Sequence, residues 1–180
     1  PVYWTRKHVL ICTAQHCNQK GAQAVAGRLR IELKRKGLDV DVLANTCDSI
    51  DICDIGPNIV VYPDRIIYHG VKTSDIPELV ESLRPGGKPV ERLLLKPYEG
   101  EEQARRELYE AAVRAEPISP EDFLALAQAH GWDEAWVNEQ ARRGFIARKQ
   151  VDDRPVIMVT SKARQRYGIV GGPSEEAAGT

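Results

Sequence analysis

Four cysteines, Cys12, Cys17, Cys47 and Cys53, all fall in the first third of a 180-residue chain. Thiolate is a soft donor, and four of them make the complete ligand set of a zinc ion or an iron–sulfur cluster. Their confinement to one stretch argues for a shared site rather than scattered core thiols. The spacing is Cys12-x4-Cys17, a gap of 29 residues, then Cys47-x5-Cys53. Structural zinc sites pair their cysteines across about two to four residues, on tight knuckles. The x4 and x5 gaps are loose for that geometry and suit a pair of irons better, with zinc kept as the alternative. A dithiol redox site would use Cys-x-x-Cys, which is absent from the sequence.

The elements around the cysteines explain how such distant thiols meet. His8–Thr13 is short and apolar and reads as a buried strand ending at Cys12. From Lys20 to Lys36, Ala22, Val25, Ala26, Leu29 and Leu33 recur at helical spacing, with Arg28, Arg30, Lys34, Arg35 and Lys36 on the other face. Gly37 ends that helix, and Asp39–Leu43 alternates like a half-buried strand. Strand, helix and strand make a parallel, right-handed βαβ unit, whose two strand-end loops emerge at one edge of the sheet. Cys17 lies in the first of those loops, and Cys47 and Cys53 lie in the second, a turn-rich stretch from Asn45 to Pro57. The topology therefore brings the four thiols together.

Beyond the second loop, Asn58–Tyr62 and Arg65–Tyr68 flank Pro63–Asp64 and read as an antiparallel hairpin. Ser74–Leu83 is expected as a helix, with Ser74 as its N-cap and Pro77 in its first turn. The order β-α-β, hairpin, α describes an α/β, thioredoxin-like module over residues 1–84. Pro85–Pro89 signals a linker, and 85–116 comprises that linker and an acidic helix, Glu99–Ala115, facing inward through Ala104, Leu108, Ala111, Ala112 and Ala115. Residues 117–170 read as a small α+β, winged-helix-like module. It has helices at Pro120–Ala129 and Asp133–Arg143, strands at Phe145–Arg148 and Val156–Val159, and a last helical turn from Ser161. The Gly-, Ala-, Ser- and Glu-rich segment 171–180 is expected to be a disordered tail.

The residues Cys12-x4-Cys17-Asn18-Gln19-Lys20-Gly21, and Cys53-Asp54-Ile55-Gly56-Pro57 followed by Val60–Val61–Tyr62–Pro63–Asp64 and Tyr68, resemble the thioredoxin-like [2Fe-2S] ferredoxins. That family is related to the small [2Fe-2S] subunit of NADH dehydrogenases. The resemblance covers about residues 8–84. It implies a homodimeric electron carrier with one [2Fe-2S] cluster per subunit, serving a redox partner protein, and Cys12, Cys17, Cys47 and Cys53 as its ligands. One feature departs from the family pattern: the second pair is spaced more widely, and Ser49 stands where the third ligand normally falls. Thiolate is the softer and better ligand, so a lengthened loop with Cys47 still bound is expected. Ferredoxins of this lengthened form, with an appended C-terminal module, resemble ones associated with cobalamin-type biosynthesis.

Other residues have duller readings. His16 reads as a solvated loop histidine beside a complete cysteine set. Asp48, Asp51 and Asp54 read either as an acidic docking rim or as turn formers, and Gly56–Pro57 as backbone shaped to leave room beside the cluster. Trp4, Trp132 and Trp136 read as packing anchors. Asp133–Arg143, with Asn138, Gln140, Arg142 and Arg143, is a candidate recognition helix. A redox-responsive DNA-binding regulator is therefore an alternative function, and a zinc-stabilised interaction protein is another. Eight basic and seven acidic residues between Pro117 and Val170 give a poor footprint for nucleic acid. The whole chain, with 25 basic and 26 acidic residues, lacks a basic field. No apolar run reaches the roughly 18 residues of a membrane span, and no targeting leader opens the chain, so a cytoplasmic protein away from membranes is expected. Neither a nucleophile–base pattern nor a phosphate-binding glycine loop is present, which argues against an independent enzyme.

Overall fold

The computed structural model describes residues 1–170, and the tail expected at 171–180 lies outside the described residues. The chain divides into two compact units between Leu95 and Lys96. The first is built on a four-stranded sheet of order β2-β1-β3-β4. Strand β1 (Lys7–Cys12) is central because Val9, Ile11 and Cys12 are all buried, and it pairs in parallel with β2 (Val42–Cys47) from Lys7↔Val42 to Cys12↔Cys47. On its other side it runs antiparallel to β3 (Ile59–Tyr62), which forms the expected hairpin with β4 (Ile66–Tyr68).

Helix α2 (Ala22–Arg35) joins the parallel strands and contributes Val25, Ala26, Leu29 and Leu33 to the core. It closes where expected. Gly37 takes φ 66°, and the Leu38 N–H reaches back to the Leu33 carbonyl at 2.9 Å, a closure that favours glycine at that position. Helix α3 (Ile76–Ser82) adds Ile76, Leu79 and Val80 to the same core. Its start differs from the expected Ser74 cap. A 3-10 turn, Thr73–Asp75, precedes it, and the Asp75 carboxylate accepts the Lys72 N–H at 2.7 Å.

Other sequence expectations also change in this unit. Strand β2 starts at Val42, not Asp39, because the N–H groups of Asp41 and Val42 both donate to the Leu38 carbonyl and turn the chain there; Val40 is 79% exposed. Asn45–Cys47, expected within a turn-rich stretch, instead completes the parallel ladder. Trp4, read as an anchor, is 75% exposed beside Tyr3. The unit also extends past residue 84. After Pro85–Pro89, Val90 and Leu93 are buried in the first core, and Leu94 bridges to Tyr68 at the outer edge of β4. The Tyr68 hydroxyl ties this together, 3.4 Å from Ser82 Oγ and accepting the Val90 N–H at 3.3 Å.

The second unit has its own core. Helix α4 (Gly100–Arg114) buries Leu108, Tyr109, Ala112 and Val113 in it, so this helix is part of a folded unit rather than a bridge, while Ala115 is exposed. Helix α5 (Pro120–Ala129) is capped as read, with Ser119 Oγ accepting the Asp122 N–H at 3.0 Å. Asp133 caps α6 (Glu134–Arg142) through Trp136 N–H at 2.9 Å. Strands β5 (Ile146–Val151) and β6 (Arg154–Val159) are longer than expected and turn at Asp152–Asp153, before α7 (Ser161–Tyr167). Trp132 and Trp136 stack at 4.5 Å against this core, as anchors should.

Candidate metal centre

The site is assembled at the end of the parallel ladder. Cys12 closes β1, and its N–H is held by the Asn58 carbonyl at 3.0 Å. Cys17 lies not in a loop but on a short helix, α1 (Gln15–Gln19), which turns the cysteine inward while leaving His16 exposed. Cys53 opens a 3-10 turn, Cys53–Ile55. The Sγ atoms of Cys12, Cys17 and Cys53 all lie within 4.8 Å of one another, with Cys12 and Cys53 at 3.5 Å. All four cysteines are free thiols, and Ala14, Ala22 and Ile50 pack around them.

Cys47 stands beside this group rather than in it. It ends β2 opposite Cys12, its carbonyl accepts both the N–H (2.8 Å) and the hydroxyl (3.0 Å) of Thr13, and its Sγ faces the Ile11 carbonyl at 3.7 Å. From the lengthened loop, Ser49 Oγ lies 3.7 Å from Cys53 Sγ and the Asp48 carbonyl 3.7 Å from Cys12 Sγ.

Crowding and burial both shape the surroundings of the sulfurs. A side chain at Gly56 would place its Cβ 2.5 Å from Cys17 Sγ, so the backbone there is pared down to leave the sulfur clear. Burial pushes the Cys17 thiol well up, and its neighbours Cys12 and Cys53 push it further. Burial likewise raises Cys47, helped by the nearby Cys12 and Asp48, and it raises Cys53 despite an opposing pull from Ser49. A bound cation would offset that cost and stabilise the thiolates.

The contacts of two supporting residues escaped the sequence reading. Asn58 is fully buried; its Nδ2 donates to the Ile52 carbonyl at 2.8 Å and toward Cys17 Sγ at 3.8 Å. The signal for it is a lone amide between Gly56–Pro57 and an apolar strand. Lys20, which the sequence places at the helix start and in the motif shared with the family, sends its Nζ across to the second cysteine segment, where it donates to the carbonyls of Asp54 (2.7 Å) and Cys53 (3.4 Å). In the second unit, Gln140, read as a base-contacting residue, is buried and accepts the Tyr109 hydroxyl at 3.1 Å.

No protein-family model matches the chain. Among curated proteins it is 30% identical over 96 residues to a 2Fe-2S ferredoxin of Clostridium pasteurianum, covering 94% of that protein. It is 34% identical over 99 residues to a 2Fe-2S ferredoxin of Aquifex aeolicus, covering 88% of it. The chain belongs to the thioredoxin-like [2Fe-2S] ferredoxin family. Both of these ferredoxins match 49% of the chain, its N-terminal half. The crystal structure of the wild-type thioredoxin-like [2Fe-2S] ferredoxin from Aquifex aeolicus is 31% identical, with a TM-score of 0.48 over 51% of this chain and 98% of its own. The ferredoxin unit has, on its own residues, three soft thiols within 4.8 Å of one another, two of them buried, and a glycine that keeps Cys17 unobstructed. That donor set fits an iron–sulfur cluster.

Proposed function

We propose that the ferredoxin unit is a one-electron carrier whose [2Fe-2S] cluster is held by Cys12, Cys17, Cys47 and Cys53. When bound, the cluster supplies a single reversible electron. The protein's residues supply the thiolates, the hydrogen bonds to them and the burial that together set the potential. The observation that carries the reading is the grouping of three thiols within 4.8 Å at the edge where β1 and the second cysteine loop meet. Support for Cys47 as the fourth ligand comes from its register opposite Cys12 and its place at the head of the loop that ends in Cys53. The unit acts as a homodimer in the cytoplasm, on the strength of the family resemblance. The second unit, a winged-helix-like module by its order of helices and hairpin, selects the redox partner. An acceptor in cobalamin-type biosynthesis is suggested by the family resemblance alone. Burial of Gln140 and the pairing of Arg142 and Arg143 with Glu139 weigh against DNA as that partner.

Single Cys→Ala variants of the full chain test the ligand set. Each of the four is expected to lower iron per chain and the visible absorbance of the anaerobically purified protein. Full iron content in any one variant removes that residue from the set.

A further inference from the structure

The lengthened loop places a hydroxyl between a cysteine sulfur and a carboxylate. Ser49 Oγ is 3.7 Å from Cys53 Sγ and 3.1 Å from Asp51 Oδ1, and it accepts the Asp51 backbone N–H at 3.0 Å. That N–H holds the oxygen in place and leaves only the direction of its hydrogen free. A serine hydroxyl has one hydrogen to give, so the sulfur and the carboxylate compete for it.

We propose that Ser49 is a positioning residue that raises the reduction potential of the cluster by donating its hydroxyl hydrogen to the Cys53 sulfur, and that Asp51 opposes it by drawing the same hydrogen away. The inference rests on Cys53 being a cluster ligand. An electron added to the cluster increases the negative charge on its sulfurs. A donor to one of them therefore favours the reduced form over the oxidised form, and the potential rises. Asp51 acts in the opposite direction twice, by its own negative charge and by occupying the donor. The loop's shape suits a neutral substitution, because Asp51 sits at φ 59°, a conformation that asparagine adopts readily.

The test uses the full chain, reconstituted anaerobically with iron and sulfide, and potentials titrated at one fixed pH. Ser49→Ala is expected to keep the cluster's visible spectrum and to disfavour reduction by about tenfold, or 59 mV for a one-electron couple. Ser49→Thr keeps the hydroxyl and stays near the parent value. Asp51→Asn shifts the potential upward, and in the Ser49→Ala background that upward shift shrinks to the part due to charge alone. A Ser49→Ala potential equal to the parent's overturns the proposal, as does an Asp51→Asn shift of the same size in both backgrounds. Cluster loss in Ser49→Ala with full retention in Cys47→Ala also overturns it, since Ser49 is then a ligand. A parent chain that takes up no cluster overturns the functional reading and this proposal together, whereas normal uptake with an unmoved potential overturns this proposal alone.

Discussion

At Gly56 an added methyl would lie 2.5 Å from Cys17 Sγ and 3.2 Å from Asn58 Nδ2, both held in a buried cluster. Gly56→Ala is therefore expected to cut iron per chain several-fold. Gly27→Ala, in α2 with nothing within 4 Å of the new carbon, should keep the cluster and gain about 0.5–1 kcal/mol in a denaturation experiment. Equal iron in the two variants would contradict the crowding argument. The thiols also give a pH signature. Burial first, and neighbouring groups second, raise Cys17, Cys47 and Cys53 above the ordinary thiol value of about 8.5. The iron-free native state then keeps its thiol protons to higher pH than the unfolded chain does. Its stability is complete below about pH 8.5 and falls as pH rises toward the raised native values. Chelator-stripped protein should show denaturation midpoints that drop on going from about pH 8 to about pH 10, and a flat profile would count against buried thiols. The loaded protein should instead lose its metal on acidification, as protons compete for the thiolates.

The elements show which parts of the site could be read in advance. Helix α5 matches its expected bounds because Ser119–Pro120–Glu121–Asp122 carries its own start signal, needing no distant partner. Strand β2 was misplaced for the opposite reason. The alternation Asp39–Leu43 is local, but the strand is defined by its pairing with β1, which begins at Lys7↔Val42. Convergence of the two cysteine segments on one sheet edge was legible, since parallel topology requires it. The helical setting of Cys17 was not, because five residues are too few to show a period. Nor were the contacts from Ser49 and Asn58 to sulfur, which depend on how the loops close. Thr13 ties the two strand ends by giving both its N–H and its hydroxyl to the Cys47 carbonyl. Thr13→Val keeps the first bond and loses the second, and should lower stability by about 1 kcal/mol, read as a shifted urea midpoint. An unchanged midpoint would mean that the hydroxyl does not secure the Cys47 end of the ladder.

At the scale of the whole molecule, two separate cores imply that metal acts on one of them. Hydrogen exchange of the full chain, before and after iron removal, should quicken around residues 12–17 and 47–58 and leave the amides of α4 to α7 as they were. Uniform quickening throughout the chain would show that the two cores open as one. The most direct test of the central claim is metal and sulfide analysis of anaerobically purified protein, joined to an electron paramagnetic resonance spectrum after reduction. A [2Fe-2S] carrier yields iron and acid-labile sulfide in equal amounts, one cluster per chain, and a spin-one-half signal that appears on adding one electron. Zinc in place of iron, with no sulfide and no paramagnetic signal, would contradict the claim.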